Sequence, residues 1–292
     1  MELVKHLIPL MITVSLGLLI VSCGMASARG ECLHVLRSPR LLVKAMIAIN
    51  VIPPVAAILA VSLFPAMPIA AKGAILLMAI SPVPPLVPGK ALKMGGSGAY
   101  VYGLQVAVSL LAIITVPLLG TLVGGLYESD AQFPVSVIAR NVFVGMVIPL
   151  AIGLALGRWI APDFSHRAAP MVTKIALGLV VIAFLPILIK DWSLMMALVG
   201  DGTVLAMLAV VIVAAIGGYL LGEKAPGDRA TLMFAATTRH PGIALALAGA
   251  NHAKPGITAG VLLFLLIALA GMVPYQIAFN RRRKAEATSA AA

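Results

Sequence analysis

Charge is what this sequence has least of. Of its 292 residues, 11% are Asp, Glu, Lys or Arg and 61% are hydrophobic; a soluble domain carries about 25% charged residues. The segment 101–126 contains no charged side chain at all. Most of the chain therefore cannot supply a water-facing surface. A bilayer needs about 20 apolar residues for each helical crossing, and runs of that length recur. Cysteine is nearly absent too: Cys23 and Cys32 cannot form a disulfide framework. No His, Cys and acidic residues fall at metal-ligand spacing, so no metal site or cofactor is expected. Aromatics make up 5%, and no basic face is interleaved with them. The net charge of +11 therefore does not indicate a nucleic-acid partner. Nor does any Asp or Glu lie deep in an apolar run, where a proton or sodium carrier would usually stand. With no nucleophile–base pair either, enzymatic chemistry is not expected.

What is present is an all-α, polytopic membrane pattern. Nine spans are read at about 4–25, 43–65, 69–94, 98–126, 136–160, 168–190, 201–222, 228–252 and 256–279. Ile20-Val21-Ser22-Cys23 has the look of a lipoprotein cleavage site, but the flanking charges favour a retained span. Fifteen Lys and Arg fall on one set of loops, among them Arg29, Arg37, Arg40, Lys44, Lys224 and Arg281 to Lys284. Five fall on the other set, and Arg239 alone lies inside a span. The positive-inside rule then puts the N-terminus outside and the C-terminus in the cytoplasm, the expected location being the inner (plasma) membrane. The segment Glu128 to Gln132 is acidic and falls on the outer side.

A repeat runs through the chain. Val87-Pro88-Gly89-Lys90-Ala91-Leu92 matches His240-Pro241-Gly242-Ile243-Ala244-Leu245 as PGxAL. The same offset superimposes the neighbouring spans, and copies five spans apart enter the membrane from opposite sides. Inverted repeats of this kind place a binding site at discontinuous helices near the midplane. The first repeat is read at about 1–126, the second at about 136–280, and 281–292 as a cytoplasmic tail, all one transport domain. Pro82, Pro84, Pro85 and Pro88 break the third span, because proline lacks an N–H and clashes with the preceding turn. The freed backbone must face protein or a wet cavity. Proline suits a first helical turn, so half-helices are expected to restart near Pro88 and Pro241. Their amide ends would favour an anion.

These residues resemble the bile acid:sodium symporter family. The resemblance is carried by Ile80-Ser81-Pro82-Val83-Pro84-Pro85-Leu86-Val87-Pro88, by Lys93-Met94-Gly95-Gly96, by Val116-Pro117-Leu118-Leu119 and by Thr238 to Ala246. It implies a core domain of spans two to four and seven to nine, a panel of spans one, five and six, and two broken helices crossing in the core. It also implies substrate between core and panel. One N-terminal family span has no counterpart, as in other nine-span members. Where the resemblance implies a Ser-Asn turn, this chain has Pro84-Pro85 and Val87-Pro88. Ala235 stands at a sodium-binding Glu, and Arg239-His240 at a Gln-Asn pair. Sodium coupling is therefore disfavoured, and a proton remains open.

The expected function is secondary transport of a small organic anion by alternating access. The alternative is a membrane sensor or scaffold that keeps the fold without transporting. Arg239 is the leading site residue, a costly intramembrane cation placed where relatives bind theirs. His240 serves as ligand, proton relay or backbone partner. Pro88, Gly89, Pro241 and Gly242 form the half-helix ends. Lys90 reaches substrate or snorkels to the surface. Thr238, Gln105 and Asn50 bind substrate or join helices. The glycines Gly95, Gly96 and Gly98 permit a tight turn or close packing.

Overall fold

The computed structural model describes residues 2–27, 30–126, 135–250, 255–279 and 281. The acidic segment 128–132 and the basic residues 282–284 lie outside them. Every regular element among the described residues is helical.

The first helix, α1, is Glu2–Ala26, about 37 Å at 1.5 Å per residue and so long enough to cross. A short 3-10 turn, Glu31–Leu33, follows. The second helix, α2, runs Pro39–Leu63 with a π-turn at Ile47–Val51. Pro53 and Pro54, just beyond that turn, cause it: neither can donate a hydrogen bond back into the preceding turn. Helix α3, Ile69–Ile80, stops where the proline cluster begins, and α4, Val87–Lys93, restarts with Pro88 in its first turn. Helix α5 is Gly98–Leu126.

Next comes α6, built from Val135–Val142, a π-turn Phe143–Val147, Ile148–Ala155 and a second π-turn Leu156–Ile160. Helix α7 is Pro162–Lys190 and α8 is Thr203–Leu221. The second broken helix comprises α9, Pro226–Thr237, and α10, Pro241–Ala250. Helix α11 is Pro255–Gly271, with residues 273–279 continuing the path.

Packing divides these helices into two groups. Helix α1 lies against α6 and α7, whereas α8 packs on α2 and α9, and α3 on α11. In the first group a Cβ on Gly153 would stand 2.2 Å from the Val21 carbonyl oxygen. Only glycine lets these backbones approach so closely, as at many membrane helix interfaces. In the second group Gly95 sits at φ 78, and a Cβ on Gly227 would fall 2.0 Å from its carbonyl oxygen. The turn after α4 thus rests directly on the start of α9. Asp228 holds it there, accepting from the Ser97 N–H at 2.7 Å and the Ser97 hydroxyl at 2.9 Å. Both uses foreseen for the glycines, turning and packing, occur at this one contact.

Among the described residues, six helices are long and apolar enough to cross a membrane, with shorter apolar helices at Leu10–Ala26 and Ile69–Ile80. The third and eighth spans of the sequence reading appear as half-helices, and the first counts only as the shorter apolar helix Leu10–Ala26, which accounts for six long helices where nine spans were read. The sixth begins at Pro162 rather than near 168, because Pro162 opens the helix and carries Arg167 and Lys174 into it. Exposed apolar side chains on α7 and α8, including Ile182, Leu185, Ile212 and Leu220, face outward, as hydrocarbon contact requires.

Candidate functional site

The two interruptions meet. Residues 81–86 separate α3 from α4, and Thr238, Arg239 and His240 separate α9 from α10. The His240 backbone N–H donates to the Pro82 carbonyl at 2.9 Å. The Arg239 guanidinium donates through Nη1 to the Ser81 carbonyl at 3.0 Å and through Nη2 to the Ile49 carbonyl.

Those two carbonyls are available for a physical reason. Pro53 and Pro54 stand where the backbone donors to Ile49 would be in an α- or π-turn. Pro84 and Pro85 stand where the donors to Ser81 would be in a 3-10 or α-turn. Each proline pair thus orphans one carbonyl, and an unmet buried carbonyl is costly. One arginine satisfies both. Its Nε has no partner among the described residues, and Arg239 is 2% exposed.

Two cavities flank this crossing, and both have α1 as a wall. The first, about 270 Å³, lies between α1 (Leu19, Ser22, Cys23), α7 (Thr173, Leu177) and the first break with α4. It contains Pro88, Gly89, Lys90 and Lys93, and Tyr102 and Thr238 close it. Its walls are mainly apolar, no carboxylate lines it, and Lys90 and Lys93 supply positive charge. The Thr173 hydroxyl donates to Ser22 Oγ at 2.9 Å, tying α7 to α1 at its edge. The second cavity, about 400 Å³, lies between α1 (Ile12, Thr13, Leu16), α6 (Asn141, Val144, Gly145) and the start of α10 (His240, Gly242, Ile243). There His240 Nδ1 accepts from the Ile243 N–H at 3.3 Å, which assigns the ring proton to Nε2 in the neutral form.

The candidate residues are therefore distributed. Pro88, Gly89, Lys90 and Thr238 line the first cavity, and His240 and Gly242 the second. Pro241 begins α10 and is buried beside them. Arg239 lines neither cavity. Gln105 is buried in α5 and donates through Nε2 to Ser109 at 3.3 Å. Asn50 lies in the π-turn of α2 with its Nδ2 3.2 Å from Met46 Sδ. Both are placed by helix packing, away from the cavities. Sequence reasoning did not single out Ser22, Tyr102 or Thr173 as wall residues, and it read Cys23 only as a thiol to be counted and as part of a cleavage-site look-alike. The one sequence signal for Ser22 and Thr173 was a hydroxyl within an apolar run. Of the two half-helices, only α10 is long enough for a helix dipole to matter; α4 has 7 residues.

A family model described as "Sodium Bile acid symporter family" matches residues 13–198, more than half of the chain. A search of curated proteins finds no match. The chain belongs to the sodium bile acid symporter family.

Proposed function

We propose that this symporter-family chain carries a small organic anion across the membrane by alternating access, without sodium. Members of the family are transporters rather than enzymes, and the long apolar helices agree with a multi-pass membrane protein. The observation that carries the reading is the pair of cavities on either side of the crossed breaks, sharing α1 as a wall. Sites at crossed discontinuous helices are what alternating access uses. The apolar first cavity with Lys90 and Lys93 suits a ligand that has a hydrocarbon body and one anionic group.

Arg239 takes part through the crossing rather than by touching the ligand. Carbonyl ends of broken helices are where transporters hold a coupling cation. Here the Ser81 and Ile49 carbonyls hold a tethered guanidinium instead. A cation that is part of the chain cannot be exchanged, so sodium has nothing to couple to at this place. His240, at the edge of the second cavity, is the residue through which a proton could enter the cycle. In this reading α1, α6 and α7 form the panel, the remaining helices the core, and residues 1–126 and 136–280 the two inverted repeats. The N-terminus lies outside and the C-terminus in the cytoplasm of an inner membrane.

The test is uptake of labelled carboxylates and sulfonates into proteoliposomes, with sodium, potassium and proton gradients imposed separately. Saturable uptake of an anion, unchanged by replacing sodium with potassium, is expected. Strict sodium dependence refutes the tethered-cation reading. Absence of uptake across the whole panel favours the sensor or scaffold.

A further inference from the structure

A third cavity, about 550 Å³, opens away from the crossed breaks. Its walls are Tyr219 at the end of α8, Lys224 in the following loop, the first turn of α9 with Arg229, and Tyr275 to Phe279 beyond α11. We propose that it binds the phosphate headgroup of an anionic phospholipid.

Charge is the first argument. Lys224 and Arg229 line the cavity, and no carboxylate among the described residues does. The nearest acids lie outside the lining and have their own partners: Glu223 accepts from Lys44 Nζ at 2.9 Å, and Asp228 accepts from Ser97. The described lining therefore carries two cations, offset only in part by Glu223 and Asp228 just outside it.

Preorganisation is the second. Arg229 Nε donates to the Glu223 carbonyl at 3.2 Å, and its guanidinium lies over the Tyr219 ring, 5.0 Å from the centroid. The Tyr219 ring meets Tyr275 edge-on at 6.4 Å, and Tyr275 stacks on Phe279 at 6.1 Å. The guanidinium is thus fixed through one nitrogen and one face, and its two terminal nitrogens are left to grip a phosphate in bidentate fashion.

Position separates a lipid from a free phosphate. The helices that form the walls also carry exposed apolar side chains next to the cavity: Ile216 and Leu220 on α8, Val273 and Ile277 beside Tyr275. Acyl chains attached to a bound headgroup have these surfaces to lie along. Tyrosines at headgroup depth and basic pockets between membrane helices are the expected features of such a site.

The test uses the delipidated full-length protein in neutral detergent, with thermal unfolding followed as lipid is added. Phosphatidylglycerol is expected to raise the melting temperature saturably, and phosphatidylcholine is not. The double variant Lys224→Gln, Arg229→Gln is expected to need at least about tenfold more phosphatidylglycerol, having lost two interfacial cations. Changing Arg37 and Arg40 to Gln controls for general charge loss and is expected to leave the titration in place. Equal stabilisation of the double variant and the wild type overturns the site. If sn-glycerol 3-phosphate stabilises as well as phosphatidylglycerol does, the lipid assignment is overturned in favour of a soluble phosphate. Should the double variant not fold, Lys224→Glu alone decides, since this side chain is exposed in a loop; an unchanged titration overturns the proposal. None of these readouts depends on transport.

Discussion

Arg239 Nη1 lies 3.0 Å from the carbonyl oxygen of Ser81, 158 residues earlier in the chain. That contact joins the two breaks, each at the point where a helix has stopped. The same guanidinium reaches Ile49, so three segments distant in sequence are fastened by one side chain.

Replacing Arg239 with Met is expected to lower stability by about 2–4 kcal/mol, because two buried carbonyls lose a charged donor at once. Arg239→Lys keeps the charge but not the planar fork, and is expected to fall between. Thermal unfolding in detergent checks the order. Equal melting temperatures for all three proteins would show that the carbonyls find other partners.

Lys90→Gln is expected to raise the KM for anion uptake at least about tenfold, the loss of one charge-assisted contact, with little change in kcat. The proteoliposome assay with graded substrate measures this. A change confined to kcat would place Lys90 outside ligand binding.

Cys23, 5% exposed, lines the first cavity, whereas Cys32, 2% exposed, lies outside it with its thiol donating to Ser27 Oγ. A small water-soluble thiol reagent is expected to label Cys23 before Cys32, and a transported anion to slow that labelling. Mass spectrometry of Cys23→Ser and Cys32→Ser variants reads the site directly; preferential labelling of Cys32 contradicts the cavity assignment.

Gly227→Ala places a methyl group 2.0 Å from the Gly95 carbonyl oxygen, in rigid backbone. A loss of about 1–3 kcal/mol is expected, the usual cost of overpacking, visible as a lower melting temperature. Gly89→Ala meets nothing within 4 Å and serves as the tolerated control.

The hydrogen bond from Lys44 holds the Glu223 carboxyl below its ordinary value. A carboxyl depressed in the folded state stabilises above its unfolded pKa, and the gain is lost as pH falls through the folded one. The pair is partly exposed, so less than about 1 kcal/mol is involved. Glu223→Gln is therefore expected to lower stability slightly at pH 7, the difference vanishing well below pH 4. A difference that persists at pH 3 would assign the effect to packing.

Much of this was legible before any coordinates. Pro82, Pro84, Pro85 and Pro88 dictate an interruption, and the PGxAL pair announces its counterpart. Arg239 stands out as a cation with no acid nearby. Its partners did not stand out, because a backbone carbonyl has no residue type of its own. The signal lay one step away: Pro53-Pro54 and Pro84-Pro85 each silence the donors that a preceding carbonyl needs. The cavity walls were harder still. Ser22, Tyr102 and Thr173 belong to three helices whose approach depends on tertiary packing, and an isolated hydroxyl in an apolar run serves helix contacts equally well. Lys90 showed the opposite difficulty, since a lysine near a helix end reads the same whether it reaches for water or for a ligand.

On α1, Leu16 faces one chamber and Leu19 the other. Three residues of helix amount to about 4.5 Å of rise. Along α1 the two linings thus come within one helical turn of each other. In the proposed cycle a guest would not need to be ferried across the bilayer; a slip of the inner helices against α1 by that small step would change which doorway it stands in.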